Sequence, residues 1–557
     1  MSTSAPSENA IEVISAAAMP SGMEITLEGS ALQVNGVRVR IPEKLNGELR
    51  GLFGIGGLFP TVPRGDDRDK LLWRVVAEAR PDVRQNLKGD RKLAGELADK
   101  LPFDSDASQV AAAALRDRFY NRKKVPALLP VHSSLPLNYE HTNSAGKASG
   151  YRMFNGGIAP FMLWRGEVAG VDTELLTRLL DEVANDEELT FLDRYFLNLA
   201  LEDSDTPEAT PDAVELITRY ADQFAKDLGE GTAGVFCQPS LDLFRRDLTT
   251  ILDTSLPRPD KARWLTLLLS LHISARLYRI AVIKGGEVDV VVAAATETSV
   301  PRNSVTCHCE PAKEAGCLQS CPFAGTLRFR TGTGGYRAIH DRDGARAAYV
   351  DIDQRRLLDM PATLVTRTLA CRAWEAIGGG EEAEQRNLEA LADALRVDPG
   401  LRAKHNAICG AIAVLHHDQW RKGQSTVAEL EEVLAVGAGM HALREDVRKM
   451  RRADLRHQSR DVINQLMLDE NTGPGALISR NHTRGYFEVD EQLLILLVRL
   501  ICVDRQVPYD EFLSKLRAYG LAPQDSAERD NLANALHRLG MLARFSDAGE
   551  ASFVYFN

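Results

Sequence analysis

Cys307, Cys309, Cys317 and Cys321 fall within fifteen residues, in a run C-H-C-x7-C-x3-C-P, in a chain whose cysteines number eight in all. Thiolates so close in sequence suit one chemistry above others: tetrahedral capture of a single ion, with Zn–S distances of about 2.3 Å. The Cys-x-Cys and Cys-x3-Cys pairs each bring two sulfurs together, and Gly316 helps the loop between them turn back. Structural zinc is the favoured occupant. An iron–sulfur cluster competes, because it also takes four cysteines and Cys321-Pro322 matches the Cys-Pro ending of some ferredoxin runs, although the spacing fits neither ferredoxin pattern. Four thiolates leave no open position for water, which argues against catalytic zinc. His308, between two ligands, is expected to point away, and His340 to be a half-buried strand residue.

A second pattern is cationic. Arg444, Arg448, Arg452, Arg456 and Arg460 recur every four residues. On a helix that step advances about 6 Å and drifts about 40°. The guanidiniums therefore trace a slowly winding line, with Lys449 and Arg451 beside it, spaced to meet successive phosphates. Glu445, Asp446, Asp454 and Asp461 are near enough to neutralise part of the row, so a solvated or acidic-partner face is the alternative to nucleic acid.

Hydrolytic chemistry finds less support. Asp341, Asp343, Asp351 and Asp353 fall on an expected hairpin, and alternation puts Asp351 and Asp353 on one face. A metal-dependent nuclease needs such carboxylates, but no Glu-x-Lys element follows them. The adjacent pair His416-His417, followed by Asp418, is expected to point in different directions from its helix, with structural or surface roles. No Gly-x-Ser-x-Gly, His-Glu-x-x-His, dinucleotide or phosphate-loop signature occurs; the glycine-rich stretch 51–60 and Lys147 both lack the required context.

These residues need elements to carry them. At 557 residues the chain predicts roughly three to five domains. Residues 1–22 read as a disordered leader with no basic, apolar signal segment. Residues 23–165 form a mixed α/β region, with a hairpin at 23–41 that turns at Asn35-Gly36. Residues 166–278 read as a helical domain, capped at its start by Asp172. Residues 279–353 read as a β-rich module carrying the four clustered cysteines. It opens with a hairpin whose strands, 280–283 and 288–293, flank Lys284-Gly285-Gly286-Glu287. Residues 354–470 form a second helical domain that bears the arginine row. Cys371, Cys409 and Cys502 lie in apolar helical settings and read as core.

The composition is that of an ordinary globular protein: 44% apolar and 26% charged, with a net charge of −11. That charge disfavours the whole chain as a general nucleic-acid binder. No apolar run is long enough to predict a membrane span, and the absence of a secretion signal beside eight cysteines points to a reducing, cytoplasmic setting.

Residues 486–557 predict three helices, the second entered through Pro508 and the third stopped at Gly540, followed by a β-hairpin over 541–556. This order resembles a winged-helix domain. The resemblance implies that the third helix reads DNA or that the unit docks another protein. The third helix opens with Asp525, Glu528 and Asp530, and the section holds seven Lys and Arg against eleven Asp and Glu, a net of −4. If DNA is bound, the wing residue Arg544 and the arginine row suit it better than the third helix does. The layout is loosely similar to accessory subunits of bacterial restriction or antiphage systems. The fold class expected is mainly α and multi-domain, with small β modules: a metal-binding one in the middle and a winged helix at the C-terminal end. The expected role is a non-enzymatic, DNA-associated scaffold or adaptor in a multi-protein complex, with an ATPase or helicase among its partners and no membrane contact. A metal-dependent nuclease and a pure protein–protein scaffold are the alternatives.

Overall fold

The computed structural model describes residues 6–17, 19–28, 31–39, 41, 172–184, 237–302, 304, 318, 321–331, 354–384, 387–450, 478–481, 484–503, 505–544 and 552–556. The described residues are mainly helical, with three small sheets. Among them no helix is long and apolar enough to cross a membrane.

The chain opens with helix α1 (Glu8–Ala16) and a three-stranded antiparallel sheet, β1 (Ile25–Glu28), β2 (Ala31–Val34) and β3 (Val37–Val39). The hairpin expected over 23–41 is thus extended by one strand. Its turn falls at Asn35-Gly36, where φ is 48° and 82°. Both residues have positive φ, which Asn and Gly tolerate and which suits the twist of a two-residue hairpin.

Helices α2 (Thr173–Ala184), α3 (Gln238–Leu252) and α4 (Arg258–Thr296) follow. Asp172 accepts from Leu175 N at 3.1 Å, as the expected cap of α2. The hairpin expected at 280–293 does not form, because α4 continues unbroken through it for 39 residues. Val288, Val291, Val292 and Ala294 are all buried in this stretch. A helix enclosed on every side shows no 3.6-residue alternation, and its β-branched run then imitates a strand. Lys284 and Glu287, expected as turn residues, are one helical step apart and pair at 2.6 Å. Gly285 permits close packing, since a Cβ there would collide with the Arg356 guanidinium on the next helix.

Strand β4 (Leu327–Thr331) leads toward α5 (Gln354–Glu375), the short α6 (Gly380–Glu384), α7 (Leu388–Val397), α8 (Pro399–Trp420) and α9 (Val427–Ala435). Helix α10 covers residues 439–450 of the described chain. Asn387, Asp398 and Thr426 cap α7, α8 and α9, the last through a reciprocal capping box with Glu429. Helix α4 packs on α5 and α7, while α8 packs on α5, α7 and α9. Their shared core includes Leu391, Ile408, Ile412 and Leu443, each essentially without exposure. Burying one such aliphatic side chain contributes about 1.5–3 kcal/mol. Cys371, Cys409 and Cys502 are buried, as their apolar settings predict.

The last section contains β5 (Ile478–Asn481), β6 (Arg484–Val489), α11 (Glu491–Ile501), β7 (Val507–Pro508), α12 (Tyr509–Leu516), a 3-10 turn (Arg517–Tyr519), β8 (Leu521–Pro523), α13 (Ser526–Arg538), β9 (Leu542–Arg544) and β10 (Ser552–Val554). Strands β7, β10 and β9 form one antiparallel sheet in that order. A second sheet has the order β5-β6-β4-β8, in which β4 runs parallel to both β6 and β8. The strand that follows the cysteine run therefore takes both its partners from the far end of the sequence.

Candidate metal and nucleic-acid sites

Of the cysteine quartet, Cys307, Cys309 and Cys317 lie outside the described residues, as do His308 and His340. Cys321 is inside and is 6% exposed. Its carbonyl accepts from Ala324 N at 2.7 Å, a tight turn that aims Phe323 into the core. Phe323 meets Tyr278 at 6.0 Å between ring centroids, and the Arg279 guanidinium lies 4.8 Å from its ring. Both partners sit on α4, so the end of the run is fastened to that helix just before it enters β4. Among the described residues, no three His, Cys, Asp or Glu side chains converge as a metal site. The acids Asp341, Asp343, Asp351 and Asp353 lie outside the described residues.

Arg444 and Arg448 are the described members of the arginine row; Arg452, Arg456 and Arg460 lie beyond. Arg444 donates from Nη1 to Asp289 Oδ1 at 3.3 Å and from Nε to Glu445 Oε1 at 3.2 Å. Arg448 reaches Asp359 at 2.8 Å and Glu445 at 3.8 Å. Arg356 completes a trio, pairing with Asp289 Oδ2 at 2.7 Å. The three guanidiniums border a cleft of about 280 Å³ between α4, α5 and α10. Each is matched by a carboxylate, so the near end of the row clamps α10 to its neighbours. Glu445 neutralises the row as the sequence implies. Asp446 does not, because it turns inward.

The inward turn of Asp446 joins the two histidines expected to diverge. His416 donates from Nδ1 to Asp446 Oδ2 at 2.6 Å, and His417 from Nδ1 to Oδ1 at 2.8 Å. All three residues are buried, the histidines 1% and 6% exposed. Burial pushes the Asp446 carboxyl upward, but the two imidazole hydrogen bonds outweigh it and hold the group below its ordinary value. An ionised carboxylate only accepts, so each ring carries its proton on Nδ1. Adjacent side chains on α8 do point apart, yet one acceptor from α10 sits between them. That acceptor, Asp446, lies 29 positions on from His417, and no local spacing rule signals it. Asp418 turns the other way: its two oxygens accept from Ser7 N at 2.9 Å and Ser7 Oγ at 2.7 Å, tying α1 to the end of α8.

A second buried polar group lies where the last section meets α3 and α4. Asp247 accepts from His272 Nε2 at 3.0 Å and from Arg246 Nη2 at 2.9 Å. Arg246 also donates to the Tyr519 hydroxyl at 3.3 Å. Asp247, His272 and Tyr519 are 0%, 7% and 3% exposed. Burial first, then the Asp247 charge, raises the phenol well above its usual range. The group welds the C-terminal section to the central helices. Trp264 of α4 against Phe556 reinforces the same junction.

In α13, Asp525 caps the helix, Asp530 is exposed and Arg529 pairs with Asp510. Glu528 is buried. At the end of β9, Arg544 donates to Asn534 Oδ1 at 2.9 Å, which holds the exposed guanidinium beside α13. Compared with known proteins, the chain matches no protein-family model, and no curated protein matches it.

Proposed function

We propose that the chain is a non-enzymatic scaffold or adaptor subunit of a DNA-handling multi-protein assembly, of the kind used in bacterial restriction or antiphage defence. The observation that carries this is the order of elements from α11 to β10. A helix, a strand, a second helix, the strand β8, a third helix and a β-hairpin occur in sequence; β7 pairs with the last strand in a β7-β10-β9 sheet, while β8 joins β4 in the other sheet. That order supports a winged-helix unit. The welded junction at Asp247 and Tyr519 supports a unit held rigidly on a larger helical body. In this proposal Arg544 and the outer arginines of the row, Arg452, Arg456 and Arg460, meet phosphates, while a zinc ion on the four cysteines staples the segment before β4.

Duplex binding followed by fluorescence anisotropy at low salt tests the DNA contact. Binding should weaken steeply with added salt, and reversal of the outer arginines to glutamate should reduce the salt slope. Absence of binding at low salt would leave a pure protein scaffold. That second reading has its own support: Asp289, Asp359 and Glu445 already engage Arg444 and Arg448. A metal-dependent nuclease would instead cleave nucleic acid and lose that activity in Asp351→Ala.

A further inference from the structure

The Asp446–His417 pair borders a cavity of about 1020 Å³ between the end of α8, helix α9 and helix α10. That volume lies at the top of the range of about 300–1,000 Å³ typical of small-molecule sites. His417 is 6% exposed and its ring lines the cavity. Asp446 takes Nδ1, and Nε2 makes no hydrogen bond among the described residues. A nearly buried imidazole, oriented by the hydrogen bond on Nδ1, thus leaves Nε2 as the polar atom for a ligand. A ligand with a polar ring edge satisfies it.

The other walls define the rest of the ligand. Trp420 supplies an aromatic surface, and Val433 an apolar wall. Two oppositely charged side chains on the lining, Lys449 and Glu432, are exposed and make no ion pair among the described residues. Glu429 and Glu445, by contrast, are engaged by Arg421 and by Arg444 with Arg448. The cavity therefore presents a ring surface, a buried ring nitrogen for the polar edge of a base, an ammonium for an anion, and a carboxylate that accepts from hydroxyls. We propose that this cavity binds a ribonucleoside phosphate: base on Trp420 and His417 Nε2, ribose hydroxyls on Glu432, phosphate on Lys449. This proposal does not depend on the proposed DNA contact.

Isothermal titration of the full chain with AMP, GMP, CMP and UMP tests the assignment, with the matching deoxynucleotides and a five-nucleotide single-stranded DNA as further arms. One ribonucleotide should bind one to one at micromolar concentration. Its deoxy form should bind more weakly, and Lys449→Glu should weaken binding about tenfold or more. Trp420→Phe should remove a ligand-dependent change in tryptophan fluorescence. Lys449 is exposed, so its reversal leaves the core intact, and an unchanged melting temperature verifies that. His417→Leu should abolish binding. Three outcomes would overturn the proposal: no ribonucleotide binding at millimolar concentration, binding that Lys449→Glu leaves unaltered, or binding of the oligonucleotide alone. A failed duplex titration would leave this result untouched.

Discussion

Glu528 of α13 reaches across to Thr331 at the end of β4, where its Oε2 accepts from the backbone N at 3.2 Å and from Oγ1 at 3.4 Å. Both residues are buried. The acid near the start of α13 is thus the fastening between the last section and the strand after the cysteines. Glu528→Ala would strand a buried N–H and should cost about 1–3 kcal/mol in urea denaturation. The neighbouring Asp530→Ala, on an exposed side chain, should stay within about 0.5 kcal/mol of the parent.

Asp446→Ala should cost about 3 kcal/mol, since two buried imidazoles lose their charged acceptor together. The pH dependence has a definite sign. The folded carboxyl lies below its ordinary value, so its contribution is complete above the unfolded value of about 3.9 and is lost as pH falls through the lower folded value. The stability gap between the parent and Asp446→Asn should accordingly shrink below about pH 4, as read from urea midpoints.

His405 gives the opposite handle. Burial drives its pKa down to about 4, against a weaker raising effect from the 3.0 Å hydrogen bond to Ala370 O. The unfolded chain binds that proton near pH 6.5, so stability should fall as pH drops from about 6.5 toward 4, by a total on the order of 3 kcal/mol. Equilibrium denaturation between about pH 7 and pH 5 should show this limb in the parent and lack it in His405→Leu.

Gly439 sets how closely α10 lies on α8. A Cβ there would overlap Asn406 O, a backbone atom with no freedom to yield. Asn406 also accepts from Met440 N at 3.1 Å and donates to Ala295 O at 2.8 Å, joining α8, α10 and the end of α4. Gly439→Ala should therefore push α10 away and cost about 3 kcal/mol or more, an amount associated with overpacked cores. Thermal unfolding measures it, and any ligand of the His417 cavity should weaken in parallel.

Elemental analysis checks the cysteine quartet. One zinc per chain in a colourless sample is the expected result, falling to none in Cys309→Ser and Cys317→Ser. A brown sample containing iron would replace zinc with an iron–sulfur cluster.

What the sequence announced was local. Asp172 marks a helix start through a bond three residues away, and Asn35-Gly36 marks its turn through backbone preference alone. Three helices and a hairpin at the C-terminal end were legible for the same reason. The hairpin expected at 280–293 failed because full enclosure erases the alternation that distinguishes helix from strand. The convergence of His416 and His417 on Asp446 was hidden because the acceptor arrives from a separate helix. Helical spacing placed Arg444 and Arg448 in one row, yet Asp289 and Asp359, which meet them, come from α4 and α5. Cys321 is buried as a ligand or a core residue alike would be.

The tie from Ser7 to Asp418 spans 411 positions. At roughly 5–20 residues per second of synthesis, the first helix waits on the order of half a minute for its docking surface to leave the ribosome. Through that interval the apolar stripe of Ala10, Val13 and Ile14 stays uncovered. Its closure onto α8 and α9 is therefore a late event in maturation.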